Sequence, residues 1–170
     1  MKLATFFCLA CASLILTGCA GYKLGPTAGF KPGTRSVQVN FFQNKTIEPR
    51  LITSVNHALR KALQQDGTYL LNTKGTGDVV IDGEITTFSR SGISFQPGDV
   101  ITARDYSLTM AAQVRAIERA SGKVLLERLV SGRTTVRAGA DLASAERQAV
   151  PLLAEDLARN ATSLLVDGDW

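Results

Sequence analysis

The sequence predicts an α+β domain in which a mixed, mainly antiparallel four-stranded sheet carries two helices on one face, in the order β-α-β-β-β-α. Three observations lead there. Residues 51–66 and 142–166 repeat apolar side chains at the spacing of one helical face. Residues 104–117 alternate apolar and polar side chains with period two. The strand-like segments come in a run rather than in strict alternation with helices, which is the pattern of an α+β domain.

Taken in order, residues 35–42 open the fold, with Val37, Val39 and Phe41 apolar and Ser36, Gln38 and Asn40 between them. Residues 42–46 read as a turn, and Pro49 sits where the first turn of a helix tolerates it. Leu51, Ile52, Val55, Ala58, Leu59, Ala62 and Leu63 make the apolar stripe of the first helix, which Gly67 closes. Residues 68–71 add at most a short strand, and residues 72–78 are a glycine-bearing loop. Residues 79–90 form the second strand. In residues 104–117, Tyr106, Leu108, Met110, Ala112 and Val114 share one face, opposite Asp105, Ser107, Thr109, Gln113 and Arg115. The short connection Ser121-Gly122-Lys123 returns the chain into residues 124–137 as a hairpin. Residues 142–166 form the last helix, with Pro151 expected to kink it or to mark its true start.

The first 34 residues are of another kind. Lys2, an apolar run over residues 3–16, and then Thr17-Gly18-Cys19-Ala20 have the layout of a signal peptide. The run falls short of the roughly 20 residues that cross about 30 Å of hydrocarbon. Leu16-Thr17-Gly18-Cys19 resembles a lipobox, so the expected organisation is a cleaved signal over 1–18, a lipidated tether over 19–34 and one domain over 35–170. Cys8 and Cys11 leave with the signal, and Cys19 alone remains. A lone thiol makes no internal disulfide in an oxidising compartment, and acylation accounts for it. Acyl chains contribute about 0.8 kcal/mol per buried methylene, which anchors the chain to a membrane. Ala20 replaces the aspartate that retains lipoproteins at the inner membrane of enterobacteria, which favours the outer membrane, periplasmic side.

With 45% apolar residues and formal charge +4, falling to +3 when Lys2 is lost, the composition is that of one compact domain with a mild basic excess. That suits acidic head groups or phosphates and is no nucleic-acid footprint. Catalytic chemistry finds little support. His57 is the only histidine, on the flank of the first helix, and with one cysteine left a zinc site is excluded. Asp82 with Glu84, and Glu155 with Asp156, read as solvated carboxylates. Gly75-Thr76-Gly77-Asp78 precedes a strand, whereas a phosphate loop follows one. Asn44-Lys45-Thr46 matches a glycosylation sequon that carries no weight in a bacterial lipoprotein. No enzyme and no cofactor are expected beyond the covalent lipid.

One constellation stands out. If the strands over 79–90, 104–117 and 124–137 run up, down and up, Arg90, Arg104, Arg133 and Arg137 gather at one end of the sheet, and a parallel first strand brings Lys45 toward them. Guanidinium groups so placed either solubilise loop tips or bind phosphates and carboxylates bidentately.

The lipobox with Gly21-Tyr22, Ser36-Val37-Gln38-Val39 leading to Phe42-Gln43-Asn44-Lys45-Thr46 and Glu48-Pro49-Arg50-Leu51, then Leu63-Gln64-Gln65-Asp66-Gly67-Thr68-Tyr69, resemble the LptE family of lipopolysaccharide-assembly lipoproteins. Gly83-Glu84-Ile85-Thr86, Tyr106-Ser107-Leu108, Ser121-Gly122-Lys123-Val124, Glu146-Arg147 and Leu153-Ala154-Glu155-Asp156-Leu157-Ala158 continue the resemblance over nearly all of the mature chain. It implies an outer-membrane lipoprotein that plugs the LptD β-barrel, assists its assembly and helps deliver lipopolysaccharide to the surface. It further implies that Arg90 and Arg104, with Arg137, contact lipopolysaccharide phosphates. Phe41-Phe42-Gln43-Asn44-Lys45-Thr46 is also similar to lipoproteins of the LpoB type, which activate peptidoglycan synthases, and of the CsgG type, which form secretion channels.

Overall fold

A computed structural model describes residues 32–139 and 141–168, so the expected signal peptide, Cys19 and most of the tether lie outside the described residues. The elements are β1 (Arg35–Val39), β2 (Gln43–Asn44), α1 (Leu51–Asp66), β3 (Tyr69–Leu71), β4 (Val79–Gln96), β5 (Asp99–Glu118), β6 (Val124–Arg137) and α2 (Leu142–Asp167). Among the described residues the strands make one six-stranded sheet in the order β3-β1-β4-β5-β6, with β2 also paired to β4. β1 is parallel to both β3 and β4, while β4, β5 and β6 run antiparallel to one another. The α+β class is as expected, and the strand count is six rather than four.

Both extra strands are short pieces whose pairing a periodicity cannot show. β2 makes two pairs, Gln43 with Glu84 and Asn44 with Ile85. The expected turn follows at once: Asn44 Oδ1 accepts from the Thr46 N–H at 2.9 Å and from its hydroxyl at 2.8 Å, and Nδ2 donates to the Glu48 carbonyl at 2.8 Å. β3 pairs with β1 over three residues only.

Helix α1 presents Leu51, Val55, Leu59 and Leu63 to the core. It ends where Gly67 takes φ +74° and donates its N–H to the Leu63 carbonyl, a left-handed closure that only glycine adopts without cost. Helix α2 starts at Leu142, one residue after Asp141, whose carboxylate accepts the Ser144 N–H. Pro151 therefore does not mark its start, and the chain is helical on both sides of it. The two helices lie side by side on one face of the sheet, α2 over β5 and β6 and α1 beside β1 and β3. Val37, Ile81, Ile85, Leu108, Met110, Ala112 and Ala116 meet Leu59, Leu153, Leu157 and Leu165 in a single buried core.

Two glycines set the spacing of these layers. A Cβ on Gly83 would stand 2.1 Å from the ring of Phe42, which occupies that space in the core. A Cβ on Gly132 of β6 would stand 2.6 Å from the Leu153 carbonyl oxygen and 2.6 Å from the Leu157 nitrogen, so the backbones of α2 and β6 nearly touch. Side chains of α2 also close the outer edge of β6. Asp156 accepts the Arg133 N–H at 2.9 Å, and Asn160 donates to the Ser131 carbonyl at 2.9 Å, which leaves that edge less open to strand addition.

We expect Gly132→Ala to lower the unfolding free energy by about 2 kcal/mol or more, as overpacking does. Gly67→Ala should cost only about 1 kcal/mol, through its positive φ. Denaturant midpoints with unchanged slopes decide this, and the reverse order would mean that α2 does not sit on Gly132.

Candidate functional site

The antiparallel register places the sequence-predicted arginines row by row. Residues directly opposite one another share a face. Leu108, Met110, Ala112 and Val114 of β5 face the helices, so Asp105, Ser107, Thr109 and Gln113 look away from them. Arg137 is opposite Asp105, Thr135 opposite Ser107, and Arg133 opposite Thr109. Arg133 and Arg137 therefore share the face that no helix covers among the described residues.

Asp105 is the centre of this group. It accepts from Arg137 Nε at 3.1 Å, lies 3.8 Å from Arg104 Nε and accepts the Ser94 hydroxyl. The Ser94 and Arg137 hydrogen bonds, reinforced by the charges of Arg137 and Arg104, hold its carboxyl below the usual carboxylate range. Arg133 makes no ion pair among the described residues; its backbone N–H is held by Asp156, which is itself 3.8 Å from Arg159. Two guanidinium groups, those of Arg104 and Arg137, thus share one carboxylate, and Arg133 lies four residues further along β6 on the same face as Arg137. In the row between Arg133 and Arg137, Ser107 is buried with its hydroxyl unpartnered among the described residues. A buried donor without a partner is rare and costs about 1–3 kcal/mol.

Arg90 is elsewhere. Its row is Leu108 and Thr134, on the helix-facing side. There it pairs with Glu146 of α2 and stacks over Tyr106, 5.4 Å from the ring centroid. Lys45 stops beside Ile85, five residues short of Arg90 along β4, or about 16 Å, and is bound to Glu84 at 2.7 Å. The structure brings Arg104 and Arg137 together at Asp105, keeps Arg133 on the same face as Arg137 four residues away, and separates Arg90 and Lys45 from them.

The other candidates serve the architecture. Asp82 accepts from Asn40 at 2.8 Å, Glu155 pairs with Lys61 at 2.7 Å, and His57 is exposed on α1. The Gly75 and Gly77 carbonyls accept from Arg119, and Asp78 accepts the N–H and hydroxyl of Ser36. Among the described residues no group of three or more His, Cys, Asp or Glu is placed to hold a metal ion, and no helix is long and apolar enough to cross a membrane.

Sequence reasoning missed two parts of this region. It read Ser107 as one more exposed position in an alternating strand. It also ended one strand at Arg90 and began the next at Arg104, whereas β4 and β5 continue to Gln96 and Asp99. Gly92 and the register shifts between Gly92 and Gln96 break the alternation there.

The molecule thus belongs to the class of small α+β domains in which two helices cover one face of a mixed sheet, with a basic cluster at one end of the other face. The family model described as lipopolysaccharide-assembly, LptE, matches residues 34–166, and the chain belongs to that family. Among solved structures it is similar to a hypothetical protein from Chlamydia trachomatis, at 11% identity and TM-score 0.56, covering 78% of this chain and 95% of that one. It is similar also to a protein from Xanthomonas campestris, at 11% identity and TM-score 0.55, covering 84% and 91%. A third likeness is to the PelC dodecamer of Paraburkholderia phytofirmans, at 14% identity and TM-score 0.52, covering 86% and 96%. At these identities the likenesses concern the fold alone. No curated protein matches the chain.

Asp105→Asn provides a pH test. A carboxylate with a depressed folded pKa stabilises above its unfolded value of about 3.9 and loses that contribution as pH falls through the folded value. The variant should be less stable than the parent at neutral pH, and the gap in thermal midpoint should close in acid. A gap independent of pH would show that the charge of Asp105 is not what holds Arg104 and Arg137.

Proposed function

We propose that this chain is a lipid-anchored component of lipopolysaccharide assembly in the bacterial outer membrane, acylated at Cys19. It acts as plug and assembly factor of an LptD-type β-barrel and presents a phosphate-binding surface to lipopolysaccharide in transit. It works by binding rather than by catalysis, and needs no cofactor beyond its anchor. The observation that carries this reading is the pair Arg104 and Arg137 at Asp105, with Arg133 free of ion pairs among the described residues and on the same face as Arg137. Family membership supports the reading, since lipopolysaccharide is a phosphorylated glycolipid and this is a family of its assembly.

Other features are consistent with it. Asp105 balances only one of its two arginines, Arg104 and Arg137, and guanidinium forks match phosphate geometry better than ammonium groups do. The uncovered sheet face around the cluster is lined by Ser89, Ser91, Ser107, Thr109, Ser131 and Thr135. Small hydroxyl side chains hydrogen-bond without long flexible stems, which suits seating against the polar inner wall of a barrel. The edge of β6, closed by Asp156 and Asn160, argues against ring formation by strand addition there.

The deciding experiment is a detergent pull-down of the Cys19-acylated protein from native envelopes, with co-purifying partners identified by mass. A stoichiometric large β-barrel is expected. A peptidoglycan synthase, or a homo-oligomeric ring without a barrel, would replace the proposal by the LpoB-like or CsgG-like alternative. With purified components, the combined variant Arg104→Ala, Arg133→Ala, Arg137→Ala should bind lipopolysaccharide at least about tenfold more weakly and with less salt sensitivity. Asp105→Asn should bind more tightly, and Arg90→Ala alone should matter less than the triple change.

A further inference from the structure

Beyond the row of Asp105 and Arg137, β6 ends and β4 and β5 continue as a two-stranded arm that turns at Pro97 and Gly98, the latter with φ +82°. Such a ribbon, with neither edge paired by a third strand among the described residues, is marginal on its own in water. This one is also unusually apolar. Ile93 is 54% exposed, Phe95 48% and Ile101 88%. Between Ser91 and Ala103 the only charged residue is Asp99, and its carboxylate is occupied by the N–H groups of Ile101 and Thr102. Exposed ribbons ordinarily carry lysine or other charges that discourage association; the outer part of this arm has only the locally bonded Asp99, which marks it for contact with something apolar.

The positions along the arm say what that is. Ile93 lies at the level of Asp105, in the register shift between Gly92 and Ser94; Phe95 is opposite Ala103; Ile101 lies nearer the turn. The apolar series therefore starts beside the arginine cluster and runs outward for four residues of β5, about 13 Å. This is close to the roughly 15 Å depth of one leaflet's hydrocarbon. A surface with guanidinium groups at one end and an apolar strip of acyl-chain length leading away from them is complementary to an amphiphile, charge to phosphate and strip to chain. It is less suited to the polar lumen of a barrel, where three exposed aliphatic and aromatic groups would meet water or hydroxyls.

We infer that the β4–β5 arm is an acyl-chain rest: Ile93, Phe95 and Ile101 hold a fatty acyl chain of a phosphorylated glycolipid whose phosphate sits on Arg104, Arg133 and Arg137. This rests on the phosphate-binding reading above and adds to it a second contact of a different chemistry. Phosphate and chain together fix the orientation of the bound lipid, with its chains pointing along the arm. The opposite end of the sheet, where β1 begins at Arg35 and the chain connects back toward Cys19, is about 55 Å away along β4. The protein's own lipid anchor and the bound lipid's chains are then kept apart, and the tether of residues 20–34, at most about 50 Å when fully extended, does not by itself bring the arm to the anchoring leaflet.

The test compares two probes: diphosphoryl hexa-acyl lipid A, and the same disaccharide bisphosphate stripped of its acyl chains. Ile93→Ser with Ile101→Ser, and the triple variant adding Phe95→Ser, should bind the acylated probe about tenfold or more weakly. They should bind the stripped probe as the parent does. All three residues are about half exposed or more, so thermal midpoints should stay near the parent's, which separates a lost contact from a lost fold. Equal binding of the acylated probe by variant and parent would overturn the inference, as would equal losses on both probes. Normal lipid binding with loss of a co-purifying barrel would overturn it too, in favour of a protein occupant. If the arginine triple variant binds the stripped probe as well as the parent does, the phosphate reading fails instead, and the two failures are told apart.

Discussion

Helix α2 rests on β6 at Gly132 so closely that its backbone leaves no room for a side chain, and much of the molecule's shape depends on that seating. The contact lowers Leu153 and Leu157 into the core against Met110 and Ala112. It also brings Asp156 and Asn160 within reach of the β6 edge. Close packing of this kind tolerates little change in volume, so the small residues along the contact, Gly132 with Ala154, Ala158 and Ala161, are part of one solution. Helix α1 then packs beside α2 and over β1 and β3, and one face of the sheet is sealed.

With both helices spent on one face, the other is left to side chains that are at ease in a polar environment. The outward positions of β4, β5 and β6 are mostly polar or charged, serine and threonine toward the end that carries Asp105 and Arg137, and Asp82, Glu84, Arg115 and Glu127 toward the other, with Leu129 exposed between them. The same arithmetic of coverage explains the arm. Helix α2 begins at Leu142, near the end of β6, and nothing among the described residues extends over the last turns of the β4–β5 ribbon. Strands of 18 and 20 residues in a sheet whose other members have 14 or fewer must overhang, and the overhang carries the exposed isoleucines and the phenylalanine.

The electrostatics follow the same division. Most ionic groups are in structural pairs: Lys45 with Glu84, Lys61 with Glu155, Arg90 with Glu146. Exposed pairs of this sort contribute little each, roughly 0–1 kcal/mol. The group at Asp105 differs because its stoichiometry is uneven and because it adjoins a buried hydroxyl left without a partner. Membership of the LptE family gives that imbalance a natural ligand class, while the distant structural likenesses speak only for the scaffold.

The sequence by itself determined the class, the helices and the strand directions. The apolar stripe from Leu51 to Leu63 and the alternation from Tyr106 to Val114 are local periodicities, and burial of one face leaves each a single arrangement. The end of the sheet at which the arginines gather was also legible, because antiparallel hairpins and a right-handed parallel crossover leave few choices. Only the tertiary structure decided which face each arginine takes. A strand flips its faces with every residue, and the register shift between Ile85 and Thr87 displaces the alternation by one, so Arg90 turns toward Glu146 and away from Arg133 and Arg137. β2 and the pairing of β3, itself foreseen as at most a short strand, escaped notice because two or three residues are too few to show a period, and the arm because bulges and glycine erase it. β2 and β3 are held by partners 41 and 34 residues away in sequence, and such partners exist only once the chain has folded.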